Sequence, residues 1–344
     1  MNHLDLELAW HSLAYRLGQE PSAEANFKVK PEDFFVDEVM GFEPDGEGEH
    51  LWLQIRKKDA NTADVITRLS GLLKASPKVI GHSGLKDRWA VTQQWISVQL
   101  PGQDAPDLRG EIAPGVEVIA QQRHSKKLRP GTHKANRFEI RLGQVSDMAA
   151  AEEALRTVAQ RGAPNYFGSQ RFGHGGKNLL QAQALFAGKR IKSRNQKSMA
   201  LSAARSLLFN RVASKRIESG VQPLAGECFM LSGTRSYFTA EQIDDTIVDR
   251  LTSGDIQYSV PLWGKGELSS SSDAQLIEQE VVAEFAEFAD GLVAQGLKQE
   301  RRPLMIHPQQ FSWQQQGDDL LLSFQLPTGC YATAVLREVV RFQE

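Results

Sequence analysis

The order of strands and helices in this chain predicts an α+β fold, and three observations carry that prediction. Alternating apolar and polar residues, the mark of half-buried strands, dominate before Ala150. Helical periodicity dominates from Ser146 to Gln295, and a clear strand returns at Leu320–Leu326. Strands and helices segregated in this way read as α+β and not as repeating βαβ units. The chain has 344 residues, too many for one ordinary core, so two domains are expected, and its 41% hydrophobic residues can fill both.

Taken in order, the first 25 residues are weakly patterned and read as a surface loop. Phe27 to Val39 reads as strand, turn at Pro31, and strand again. Phe42–Glu49 is an acidic, glycine-rich stretch expected to form a hairpin loop, and His50–Ile55 turns Leu51, Leu53 and Ile55 inward. Asn61 is placed as an N-cap with Asp64 near the positive end of a helix dipole. Val65, Ile66, Leu69, Leu72 and Leu73 then share one helical face. A strand follows from Ala90, a loop from Pro101 to Pro114, and a short strand at Val116–Ala120. RHSKKLRPGTHKANRFEIRL has a basic, turn-rich first half and a strand in its second, with Phe138, Ile140 and Leu142 facing one way.

Ser146–Gly162 reads as a helix closed by a C′ glycine. Helices follow at Leu179–Ala187 and Leu201–Ser219, then irregular strand-like pieces across Leu231–Leu262. Ala274–Gln295 is expected to be one long amphipathic helix. The last strand leads through PTGCY into a helix from Ala332 to about Phe342.

No apolar run approaches the roughly 20 residues of a membrane span, and the acidic N-terminal stretch lacks the pattern of a signal peptide. Cys228 and Cys330 lie far apart, and no His or Cys spacing resembles a metal site. A reduced cytoplasm is the expected location, with no membrane, metal or cofactor involved.

The net charge of −2 hides a segregation. From Ala154 to Ile217 there is no Asp or Glu but 13 Lys and Arg, leaving 27 basic and 42 acidic residues elsewhere. A solvated helical surface would normally bring Glu partners one turn away. Their absence points to a polyanionic partner, with Lys189, Arg190, Lys192 and Arg194 in the basic GKRIKSRNQKS as candidate contacts. PNYFGSQRFGHGG (Pro164–Gly176) is too rich in glycine and aromatics for a core helix. A phosphate cradle there would want a preceding strand and a cleaner glycine motif. An RNA-facing loop suits Arg171 and its aromatic neighbours better.

The stretch GHSGLKDRWAVTQQWISVQL (Gly81–Leu100) joins a glycine-rich turn to a strand. Gly81 and Gly84 mark places where the backbone needs a positive φ or a close approach. Asp87 stands between Lys86 and Arg88, which favour its charged form, and a charged carboxylate at a strand mouth can serve as nucleophile, base or metal ligand. A solvated turn Asp is the plainer alternative.

GLKDRWAVTQQ resembles the signature of the TruD family of tRNA pseudouridine synthases, and four more stretches match the same family. They are KVKPEDFFVDE (Lys28–Glu38), HKANRFEI (His133–Ile140), PNYFGSQRFG (Pro164–Gly173) and LPTGCYATAVLRE (Leu326–Glu338). The resemblance implies a mixed β-sheet pseudouridine-synthase catalytic core, discontinuous in sequence (residues 1–161 plus 312–344), with an inserted helix-rich α/β TRUD domain (162–311). It implies isomerisation of a uridine in tRNA, position 13 in tRNA nomenclature, with Asp87 as catalytic residue and no obligate protein partner. Lys28, Phe34, Asn136 and Phe138 match active-site positions. Tyr331 stands where the family often has Phe, which keeps a stacking ring and adds a hydroxyl. Lys28 and Lys86 are expected near the Asp87 charge or a neighbouring phosphate.

Two of these residues also have a structural alternative: Phe34 as core, Asn136 as the start of a strand. Two other functions fit part of the pattern. A carboxylate-dependent N-glycoside hydrolase wants a second acid near Asp87, which no local sequence supplies. An RNA-binding module without catalysis would use the acid-free segment but would not require Asp87.

Overall fold

Runs such as HLWLQIRKK and VTQQWISVQ place β-branched and aromatic residues at alternate positions, and they form the long strands of a mixed sheet. The computed structural model describes residue 9 and residues 11–342. The surface loop expected for the first 25 residues therefore falls partly on positions outside the described residues. The described residues divide into two compact units. One is drawn from Ser22–Glu153, Pro308–Gly329 and Val340–Glu344, the other from Met1–Pro21, Ala154–His307 and Cys330–Val339.

The first unit holds a ten-stranded sheet. In chain order its strands are β1 (Asn26–Phe27), β2 (Phe34–Val39), β3 (His50–Lys58), β4 (Ile80–His82), β5 (Val91–Gln99), β6 (Gly110–Ala113), β7 (Val116–His124) and β8 (Ala135–Gly143). The C-terminal part adds β9 (Gln309–Gln316) and β10 (Asp319–Pro327). The spatial order is β9-β10-β8-β2-β5-β3-β7-β6, with β1 on β8 and β4 on β5. Among the described strands of this sheet only β2 and β5 pair in parallel, Val36 opposite Thr92. Because β5 lies between β2 and β3, the acidic Phe42–Glu49 segment is not a hairpin loop. It joins strands that are not neighbours.

Leu51, Leu53 and Ile55 are buried as the alternation predicts, against Ile96, Val98 and helix α1 (Thr62–Leu72). Asn61 caps α1 by position, but its side chain accepts no helix N–H; its amide donates instead to Asp64 Oδ2 (3.1 Å). The buried stripe is Val65, Leu69 and Leu73, at i, i+4 and i+8; Leu72 is exposed. Trp52, on the opposite face of β3, is also buried, with Met40 and Leu128. The sheet is therefore covered on both faces there. β6 lies inside the segment expected to be a loop, and the polar strand β9 went unpredicted.

In the second unit, a four-stranded antiparallel sheet runs Tyr237–Ala240, Glu227–Leu231, Ile256–Leu262, Glu300–Pro303. A separate two-stranded pair joins Ala163–Pro164 to Met305–Ile306. Helix α2 (Met148–Arg161) leads in, and Gly162 follows at φ 71°, the C′ glycine expected. α3 (Lys177–Phe186), α4 (Arg194–Glu218) and α5 (Asp245–Thr252) follow. The single long helix expected over Ala274–Gln295 is instead two, α6 (Ser272–Ala283) and α7 (Ala286–Ala294). The chain leaves helical geometry at Phe285 (φ −118°, ψ 34°), whose ring is buried. Gly291 lets α7 approach α3, since a Cβ there would lie 2.2 Å from the Phe186 ring. The last helix, α8, spans only Ala332–Leu336. Among the described residues no helix is long and apolar enough to cross a membrane.

Candidate active site

Strand register gathers a group of polar residues on one face of the large sheet. Phe34, Val36 and Glu38 alternate along β2, and Ile140, Phe138 and Asn136 lie opposite them on β8. Val36 pairs with Thr92 on β5, which pairs with Lys57 on β3. Period two then carries Glu38, Asn136, Gln94 and Lys57 onto the same face as the apolar Phe138, Val36, Ile55 and Leu53. The segment between β4 and β5, which contains Asp87, is tied to these residues.

Gln94 Nε2 donates to Gly84 C=O (3.2 Å), and the Lys86 N–H donates to Thr62 Oγ1 (3.2 Å), which in turn bonds Gln94 Oε1 (3.0 Å). Lys86 Nζ meets Glu38 Oε1 at 2.5 Å, and both side chains are buried; Glu38 Oε2 also accepts the Trp95 N–H (3.0 Å). Arg88 Nε reaches Asp59 Oδ1 (3.0 Å). Both sequence neighbours of Asp87 thus direct their cations to other acids. Gly81 needs its lack of a side chain for close approach, because a Cβ would lie 2.3 Å from Leu128 C=O; Gly84 has no such contact.

The partner of the Asp87 carboxylate comes from 59 residues away. Lys28 Nζ lies 2.5 Å from Asp87 Oδ2 and 3.8 Å from the centroid of the Phe34 ring. A cation held between a carboxylate and an aromatic face has little freedom. Lys28 itself has φ 55°, a left-handed conformation that costs a side-chain-bearing residue on the order of 1 kcal/mol. The Trp89 indole N–H donates to Lys28 C=O (2.9 Å), fixing that backbone. Asp87 keeps 32% of its side chain exposed. Around it Val29, Leu85 and Trp89 are large apolar side chains open to solvent.

Of the other candidates, Phe34 is buried, as its core alternative holds, and Phe138 is buried beside it, with ring centroids 5.9 Å apart. Asn136 is half-buried, and its Oδ1 is buried with no hydrogen-bond partner among the described residues. In the second unit Arg171 Nε donates to the Tyr331 hydroxyl (2.9 Å) and Nη1 to Ser202 Oγ (2.9 Å). The Tyr331 ring stands edge-on to Phe167, 5.9 Å between centroids, so the added hydroxyl is engaged by Arg171. Lys189, Arg190, Lys192 and Arg194 are all exposed, the last opening α4.

Sequence reasoning missed Glu38, Lys57 and Trp89. Lys57 has no exposed surface, and its ammonium donates to Asp87 C=O at 2.6 Å. Burial lowers its pKa to about 8; the Asp87 charge works in the opposite direction, and Lys86 adds to the lowering. The signal was available. Leu51, Leu53, Ile55 and Lys57 continue one period-two series, as do Phe34, Val36 and Glu38. Among the described residues no group of three or more His, Cys, Asp or Glu is placed to hold a metal ion.

A family model for tRNA pseudouridine synthase D (TruD) matches residues 12–190 and 177–339 of this chain. The chain belongs to the TruD family. The tRNA pseudouridine synthase D of Aeromonas hydrophila is 46% identical over 334 residues, covering 96% of this chain and 95% of the relative. That of Shewanella oneidensis is 42% identical, covering 96% and 90%. A crystal structure from Methanosarcina mazei, itself a candidate tRNA pseudouridine synthase D, superposes with a TM-score of 0.70 over 95% of each chain. At 21% identity that last likeness is one of fold. It agrees with the mixed-sheet α+β architecture that the resemblance to TruD implied.

Proposed function

We infer that this protein is a tRNA pseudouridine synthase, an isomerase that converts a uridine in tRNA to pseudouridine. Membership of the TruD family and near full-length relatives of that name support the reading. The reaction breaks the N1–C1′ bond and joins C5 to C1′, while C5 loses a proton and N1 gains one. It needs no oxidant, reductant or second substrate. The observation that carries the mechanism is the partly exposed Asp87 carboxylate, ion-paired to Lys28 above the Phe34 ring.

Asp87 acts as the nucleophile, at C1′ of the ribose or C6 of the ring. Lys28 orients it and offsets its charge before attack. The target base is flipped out to reach it. Asn136 Oδ1, buried and lacking a partner among the described residues, accepts a hydrogen bond from the uracil N3–H, and Phe34 and Phe138 supply apolar and stacking surface. Lys86 acts on this site through its pair with Glu38, which orders the Asp87 loop.

Residues 1–161 plus 312–344 form the catalytic domain in this reading, and residues 162–311 the inserted TRUD domain; the helix-rich compact unit differs in also taking in Met1–Pro21, Ala154–Arg161 and Cys330–Val339. Arg171 and the exposed Lys189, Arg190, Lys192 and Arg194 contact tRNA phosphates. Family resemblance favours position 13 as the target, and a tRNA substrate favours the cytoplasm. Mapping new pseudouridines in tRNA transcripts treated with purified protein tests the reading: one modified uridine is expected. No modification of any transcript would overturn it.

A further inference from the structure

None of the roles assigned above uses Lys57. Its side chain is wholly enclosed, and an enclosed ammonium is costly unless hydrogen-bonded and balanced by charge. Its cross-strand neighbours, Thr92 on β5 and Val116 on β7, carry no charge. The charged groups that act on it are Asp87, which favours the ammonium, and Lys86, which opposes it. Its hydrogen bond goes to the main-chain carbonyl of Asp87 (2.6 Å), while Lys28 holds the carboxylate of the same residue (2.5 Å). Residue 87 is thus gripped at its backbone by one lysine and at its side chain by another. The two lysines come from β3 and from the turn after β1.

We propose that Lys57 is a positioning residue for the isomerisation: it clamps the Asp87 main chain from inside the fold, and its charge, with that of Lys28, holds the carboxylate in its reactive orientation. This rests on the assignment of Asp87 as nucleophile. A neutral amine in the same place would fill the same space but bond the carbonyl more weakly, so the fold would persist while the orientation relaxed.

The burial that lowers the Lys57 pKa to about 8 gives the proposal a pH signature. The ammonium is present below that pH and lost above it, so the chemical step slows as pH rises through about 8.

The test is single-turnover pseudouridine formation on a tRNA transcript that the wild type modifies, with protein in excess, at about pH 6 to 9.5. The proteins are wild type, Lys57→Met and Lys57→Gln, with folding followed by circular dichroism and tRNA binding by filter retention. The wild-type rate should be level to about pH 7.5 and fall at least about tenfold by about pH 9.5. Lys57→Met should be at least about thirtyfold slower at pH 7, bind tRNA within about threefold of wild type, and lose the alkaline fall. Lys57→Gln, which keeps a donor without the charge, should lose as much as the Met variant.

A wild-type rate that stays level to about pH 9.5 would overturn the proposal. So would a Met variant within about threefold of wild type, or one that keeps the alkaline limb. If neither variant folds, the wild-type profile alone decides, read against constant circular dichroism. Absence of pseudouridine with the wild type at every pH would overturn the functional reading instead, which keeps the two failures distinct.

Discussion

Buried charge is used in two different ways in the two units of this molecule. In the helix-rich unit Arg216 and Glu227 are each 2% exposed, and the guanidinium meets both carboxylate oxygens (2.9 and 3.1 Å) and the carbonyls of Gly220 and Gln222. Arg301 and Glu278 repeat the arrangement, with Ser259 taking further donors. These are closed systems, in which cation and anion face one another and no carboxylate is offered to solvent.

In the sheet unit the side chains of Lys57, Lys86 and Glu38 are also buried, yet their bonds converge on one loop and leave the carboxylate within it a third exposed. A closed pair fixes two elements to each other. The open arrangement fixes a partly exposed carboxylate in place, as the proposed role of Asp87 requires.

The comparison breaks most sharply at Asp87. Asp87→Asn should reduce single-turnover pseudouridine formation to background while tRNA binding and the urea midpoint stay near wild type. A rate within about tenfold of wild type, a barrier change of only ~1.4 kcal/mol, would sink the nucleophile assignment. Arg216→Met should do the reverse. It strands Glu227 in an enclosed site, where burial already pushes its carboxyl pKa up, and should cost about 3–5 kcal/mol in urea unfolding. Turnover per folded molecule should be unchanged, and a selective loss of turnover would mean that the closed pairs also serve the reaction.

Replacing Lys189, Arg190, Lys192 and Arg194 together by Ala should weaken tRNA binding. It should also flatten the plot of log affinity against log salt by roughly 0.7–0.9 for each phosphate that is no longer neutralised. An unchanged slope would place the RNA elsewhere on the protein. The smallest effect is expected from Tyr331→Phe, which removes the acceptor for Arg171 and should cost about 1 kcal/mol of stability with turnover per folded molecule retained. A large fall in turnover would show that the hydroxyl takes part in the chemistry.

Much of the sheet was legible because its strands obey period two, and α1 because its apolar residues recur at helical spacing. β9 escaped because QQFSWQQQ is a largely exposed edge strand whose polar composition masks alternation. The break at Phe285 escaped because no Pro or Gly marks it; burial of Phe285 itself and of Phe288 after it accompanies it. At the candidate site, motifs and family resemblance singled out Asp87, Lys28, Phe34 and Asn136 as candidates, and the structure pairs the first two and sets Lys28 over the Phe34 ring. Lys57 and Glu38 were not, because charged residues are ordinarily assigned to solvent even where alternation points them inward. The destination of Lys86 depends on a residue 48 positions earlier, a pairing that no local pattern encodes.

The position of β10 has a consequence for how the protein is made. β8, the strand that carries Asn136, gains one neighbour from β2 early in the chain and the other only from Asp319–Pro327. A ribosome adding about 5–20 residues per second needs on the order of 10–35 s to cross the roughly 180 residues between them. Throughout that interval the nascent chain presents an open hydrogen-bonding edge beside Phe138 and Ile140, the kind of surface on which chains pair with one another. Yield in the cell should therefore depend on translation speed across the helix-rich segment, although that segment contributes no strand to the ten-stranded sheet.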